Sequence, residues 1–202
     1  MVDIDCSKPL VDHRRTKVTT AKHASPIVRA TLRIEDETSL NGPVGALEPH
    51  IRAVFGTGVR GSVLRGDWLG HAVHPILTDV VIGSWTSATV LDVVGRGQWS
   101  APARTLVGVG LMAVAPTAWT GWAEWSDAGH REKRVGVVHA VVNGLSAGVY
   151  AASWVARRQG KDTAGARLSL VGLSISGAAA YLGGHLAAAR KVSSHHPAFD
   201  SP

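Results

Sequence analysis

The run Val135–Val155, VGVVHAVVNGLSAGVYAASWV, decides the fold, because it contains no Asp, Glu, Lys or Arg from end to end. At about 1.5 Å of rise per residue it reaches across a hydrocarbon layer of about 30 Å. Two further runs, Thr105–Ala123 and Leu168–Ala188 without Arg167 or Arg190, are equally free of charge. A fourth, Pro75–Val94, carries only Asp79 and Asp92. A water-soluble body of 21.1 kDa with several helices apolar on every face would have little polar chain left to make a surface. The reading is therefore all-α: an integral membrane up-and-down four-helix bundle with a disordered or surface-lying N-terminal tail. The connections are short, so consecutive helices are expected to be antiparallel neighbours.

Three regions follow: a polar tail over residues 1–66, a transmembrane domain over 67–190, and a disordered stub over 191–202. From Met1 to about Pro43 the chain mixes charge with Ser and Thr and shows no sustained apolar period, which reads as disordered or loosely attached. Between Val44 and Leu64, Leu47, Ile51, Val54, Phe55, Val59 and Val63 give a short amphipathic helix lying at the membrane surface, interrupted by Gly56, Gly58 and Gly61. Span one starts at Pro75, whose missing N–H is harmless at a first helical position, and ends before Gly95. Span two runs from about Pro102 to Trp125 with a kink expected at Pro116. Span three is the opening run, and span four covers about Arg167 to Ala189. Trp68, Trp122 and Trp125 fall towards one interface and Trp99 and Trp154 towards the other. Glycines and serines recur at a spacing of four (Gly83 with Ser87, Gly144 with Gly148, Gly172 with Ser176), either as close-approach strips or as the ordinary small-residue content of membrane helices.

Lys and Arg outnumber Asp and Glu by 21 to 15, yet no basic helix interleaved with aromatics exists to grip nucleic acid. The charges flank the spans, so anionic lipid headgroups are the expected partner. The single cysteine, Cys6, rules out an intrachain disulfide or a cysteine-ligated centre. No apolar signal-peptide core stands between Met1 and Leu40. Serine-nucleophile elbows, phosphate loops and H-E-x-x-H zinc motifs are missing, so hydrolase or nucleotide chemistry has no support.

Antiparallel threading collects the histidines. The start of span one, the end of span two, the start of span three and the end of span four share one side of the bilayer. There stand His71 and His74, then Glu124, Asp127 and His130, then His139, and lastly His185. His139 lies one turn inside its apolar run, roughly 6 Å below the interface, and His185 is similarly placed one turn after Tyr181. Polar side chains at such depth are costly unless they face the bundle interior and find a partner. Asn143, one turn from His139, or Asp79 could receive an imidazole N–H and so fix which nitrogen stays open to a metal. His71 and His74 could equally be wetted by headgroups, and His130, beside Arg131, Glu132, Lys133 and Arg134, reads as solvated. Asp92 is expected to snorkel or to pair with Arg96 or Arg104.

The string Gly70-His71-Ala72-Val73-His74-Pro75-Ile76-Leu77-Thr78-Asp79, followed by Ile82-Gly83-Ser84-Trp85, resembles a bacterial membrane family known as domain-of-unknown-function family 2231. The likeness continues through Thr120-Gly121 and Trp125, Arg134-Val135-Gly136 with His139 and Asn143, and Gly183-Gly184-His185-Leu186, covering about residues 65 to 190. It implies a four-helix membrane domain, fused in some members to a C-terminal Rieske iron–sulfur domain, and hence a redox neighbourhood. After His185 the chain contains no cysteine, so a redox role here would draw on another subunit, a quinone or a soluble donor.

Three functions are open. In the first, His74 or His71 with His139 or His185 holds a b-type haem between facing helices. In the second, several imidazoles with Asp79 or Glu124 hold a zinc, iron or copper ion. In the third, the chain is a cofactor-free accessory or assembly subunit whose histidines bond between helices or sense pH. Seven Lys or Arg flank the spans on the histidine side and six on the other, which fixes no orientation; the basic tail favours both termini in the cytoplasm of a bacterial inner membrane.

Overall fold

The structure, a computed structural model, describes residues 24–193. The expectations for residues 1–23 and 194–202 lie outside the described residues. The described residues form helices joined by short connections, with no strand among them: α1 (Pro26–Asp36), α2 (Asn41–Ile51), α3 (Gly58–Arg65), α4 (Val73–Gly95), α5 (Ser100–Asp127), α6 (His130–Arg158) and α7 (Asp162–Gly184), the last continued by a π turn over His185–Ala189.

Helices α4 to α7 are the four membrane spans, each long and apolar enough to cross a bilayer. Pro116 sits inside α5 without ending it. Around the bundle, α4 packs against α5 and α7, and α6 packs against α5 and α7. This leaves α4 and α6 facing one another across the centre, where their long side chains meet. Trp85 stacks on Tyr150, with ring centroids 4.0 Å apart and planes 18° from parallel. Such a stack contributes about 0.5–1.5 kcal/mol beyond the burial of its area. Each ring rests on a glycine of the following helix: Trp85 covers Gly110 and Tyr150 covers Gly172.

One end of the bundle is closed by charge. Asp92 of α4 meets Arg157 of α6 through two hydrogen bonds of 2.8 and 2.5 Å. Arg157 is 2% exposed and donates further bonds to Ser153 Oγ at 3.3 Å and Ser169 Oγ at 3.1 Å. Gly165 makes room for its stem. The sequence expectation that Asp92 pairs with Arg96 or Arg104 is thus corrected. Residue 157 lies on the inward stripe of a facing helix and reaches Asp92 by a path that sequence proximity hides. Serine pairs line the same stripe, with Ser146 Oγ 2.6 Å from Ser176 Oγ and Ser153 Oγ 3.0 Å from Ser169 Oγ.

The other end carries the N-terminal helices. The segment before Pro43, loose by its sequence pattern, contains α1, which starts at Pro26 with Ser25 Oγ accepting the Val28 N–H. Its attachment is mostly ionic, which an apolar period cannot register. Asp36 pairs with Arg131 and the Glu35 carbonyl accepts from Arg134, whose Nε also donates to Asn41 Oδ1 at the start of α2. On α2, Glu48 pairs with Lys133 at 2.6 Å, and Val44 is buried against Trp125 and Val137. Trp125 is thus turned inward, its Nε1–H given to the Lys133 carbonyl, and is no interfacial belt residue. The amphipathic segment breaks into α2 and α3 where Gly58 adopts φ +61°. Gly66 ends α3 at φ +85°, and a Cβ there would overlap the His71 carbonyl. Of the small-residue pairs, Gly172 with Ser176 lies at a helix contact, whereas Gly83, Gly144 and Gly148 have open space where a side chain would be.

Candidate functional site

Between the bundle helices at the histidine end lies a cavity of about 300 Å³. Its walls are mainly apolar and include Trp85, Trp122 and Trp125; among the polar groups that line it, His74, Glu124, Glu132, His139 and Asn143 are able to carry chemistry. His74, the second residue of α4, brings Nδ1 to 2.9 Å from the Thr117 carbonyl on α5. A carbonyl only accepts, so in the neutral ring Nδ1 carries the proton and Nε2 the lone pair. Nε2 of His74 makes no hydrogen bond to a described residue. His139 on α6 repeats the arrangement, with Nδ1 2.9 Å from the Ala179 carbonyl on α7. Its Nε2 is 3.0 Å from Asn143 Nδ2, one turn along the same helix.

Both rings are seated on glycine. A Cβ at Gly121 would stand 2.8 Å from His74 Cε1, and one at Gly183 would stand 3.0 Å from His139 Cε1. Alanine at either place would push the imidazole away from its carbonyl. Glu124, 8% exposed, lies close by. The His74 backbone N–H and the Ser193 side chain approach its carboxyl, while Oε1 has no partner among the described residues. A buried carboxyl oxygen in that condition is costly and marks a place where a bound group could complete the hydrogen bonding.

Five residues singled out in the sequence stand elsewhere. A helix turns by about 100° per residue, which explains most of them. Asp79, five residues after His74, is turned about 140° from it and is exposed. His130, nine residues before His139, projects from the opposite face and is also exposed. His71 precedes α4 and does not line the cavity. Tyr181 and His185 lie two residues either side of Gly183 and so face away from the wall to which Gly183 belongs. Among the described residues no three His, Cys, Asp or Glu side chains gather as a metal-holding group.

His185 instead belongs to the docking of α1. Its Nε2 is 2.6 Å from Glu35 Oε1, and Arg190 holds the same carboxylate through both oxygens. Glu35, 1% exposed, is the centre of this contact, which the sequence pattern did not reveal. Burial pushes its carboxyl up, but the hydrogen bonds and charges of Arg190 and His185 together outweigh burial and hold it below the ordinary value of 4.5. A depressed carboxylate contributes stability that is present above its unfolded value and lost as pH falls through its folded one. Acidification well below pH 4.5 is accordingly expected to free α1, leaving Arg190 and His185 facing a neutral acid. Hydrogen–deuterium exchange over Pro26–Asp36 should rise at acid pH while the exchange of α5 and α7 stays low; unchanged protection of α1 would contradict the arrangement.

Fold and site together define an integral membrane protein: four spanning helices, an intramembrane cavity at one end, and a helical cap outside it. The chain belongs to the family described as "Predicted membrane protein (DUF2231)", whose model matches residues 70–196. No match was found among curated proteins or among solved structures.

Proposed function

We propose that this chain is a redox-associated membrane subunit of the bacterial inner membrane, both termini cytoplasmic, whose cavity takes a b-type haem between His74 and His139. The reading is carried by one observation: two imidazoles from facing helices, each with Nδ1–H given to a backbone carbonyl, line one apolar cavity. That tether is the usual support of an imidazole ligand, because it fixes the tautomer and the ring plane. The donor set fits two-imidazole ligation of an iron already held by a macrocycle. It fits a bare metal ion less well, since the described residues supply no cluster of three donors. When bound, a haem would supply one-electron transfer, exchanged with a partner protein or a quinone. The chain's own part is to hold both rings, exclude water with the tryptophan walls, and keep a carboxyl of Glu124 in the same space.

A second reading rests on a different observation. His139 has both nitrogens engaged, by Ala179 and by Asn143, which suits a cofactor-free accessory subunit whose histidines join helices. The absorption spectrum of the detergent-solubilised protein separates the two. Haem gives a Soret band and a reduced-minus-oxidised difference spectrum that both His74→Ala and His139→Ala abolish. A colourless, metal-free protein that co-purifies with a partner supports the accessory role.

A further inference from the structure

The four spans repeat themselves. One constant offset in residue number lays α4 on α6: His74 falls on His139, Trp85 on Tyr150, and Asp92 on Arg157. A second constant offset lays α5 on α7: Val107 falls on Ser169, Gly110 on Gly172, and Gly121 on Gly183. The contacts follow the same offsets. The carbonyls that anchor the histidines, Thr117 and Ala179, are counterparts under the second, and so are the glycines under the two rings. Trp85 and its counterpart Tyr150 stack on one another, and Asp92 and its counterpart Arg157 form the ion pair. Residues that meet their own counterparts lie on a twofold axis. Because α4 and α6 run in the same direction, that axis lies along the bundle, as in a parallel repeat.

The sequence retains a trace of this. Between Val73–Gly95 and residues 138–160 five of 23 positions are identical: Val73, His74, Gly83, Val90 and Gly95. Between Ser100–Asp127 and residues 162–189 six of 28 are identical, including the pattern L-x-x-V-G-L at Leu106–Leu111 and Leu168–Leu173. The differences are complementary in size and charge. Where one half has Asp92 and Ala103, the other has Arg157 and Gly165, the smaller residue accommodating the larger cation.

We infer that α4–α5 and α6–α7 are two copies of one helical hairpin related by an approximate twofold axis, and that the cavity lies on this axis as a site for a ligand gripped at two opposed, equivalent positions, with Gly121 and Gly183 as paired positioning residues. This rests on the haem reading only in the choice of ligand. The symmetry breaks at Glu124, whose counterpart is Leu186, and at Asn143, whose counterpart is Thr78, so the two imidazoles share the same anchor at Nδ1 but differ in the polar groups beside them.

The axis is tested without any ligand by spin-label distances in the full chain carrying Cys6→Ser. Labels at the exposed positions Val90 and Ser174 form a pair whose symmetry mate is Val155 with Met112. Double electron–electron resonance should return the same distance for both pairs, and clearly different distances overturn the repeat. The site is tested by Gly121→Ala and Gly183→Ala. Both are expected to shift the Soret band and weaken haem retention to the same extent, with far-ultraviolet circular dichroism unchanged. A loss at one glycine and none at the other overturns the equivalence of the two grips. A wild-type protein with no Soret band removes the haem reading and leaves the distance test in force.

Discussion

Arg157→Ala is expected to destabilise the solubilised protein by about 3–5 kcal/mol, the usual consequence of removing one partner from a buried ion pair. The side chain of Arg157 is fully covered and that of Asp92 is 6% exposed, so the carboxylate left behind cannot be rehydrated without opening the bundle. The same substitution strips Ser153 and Ser169 of a shared partner. Removing both charges together, as Asp92→Leu with Arg157→Leu, should recover much of the loss, because no bare charge then remains. Denaturation in mixed micelles, followed by tryptophan fluorescence, measures all three proteins. A single variant as stable as the parent, or a double variant worse than the single, would show that the two residues do not share an enclosed contact.

The second large effect is expected where aromatic rings lie against glycine at mid-depth. A Cβ at Gly172 would stand 2.7 Å from Tyr150 Cε2, and one at Gly110 would overlap the Trp85 indole outright. Neither ring can retreat, because each is stacked on the other across the centre. Gly110→Val or Gly172→Val should therefore force helices apart, with an overpacking penalty of about 1–3 kcal/mol or more and a change in tryptophan emission. Gly148→Val, at a site with open space around it, is the control that should leave stability unchanged. Equal tolerance at Gly110 and Gly148 would contradict the aromatic pair.

The four spans were legible because absence of charge over a bilayer's width is a coarse property that needs no partner to interpret. The side shared by His74, His139 and Glu124 was legible too, since antiparallel threading follows from short connections. Rotation about each helix was harder. His139 and His185 both sit near a span's end, yet a turn of about 100° per residue decides that one lines the cavity and the other meets Glu35. The docking of α1 escaped the sequence for a different reason. Glu35 and His185 are far apart in the chain, and a pairing of charged groups between distant segments leaves no periodic mark in the sequence. Asp92 looked like a residue reaching for local cations because nothing near it in sequence announces Arg157. The repeat stayed hidden because most positions have diverged while the inward geometry has not.

The closing ion pair also sets an order for assembly. Asp92 and Arg157 belong to different hairpins, so a growing chain delivers the acid to the bilayer well before the base that neutralises it. Asp92 lies in the last turn of α4, near enough to the headgroups for its carboxylate to stay hydrated during that interval. Only when α6 arrives can the charge move inward, which makes joining of the hairpins the step that seals this end of the protein against water.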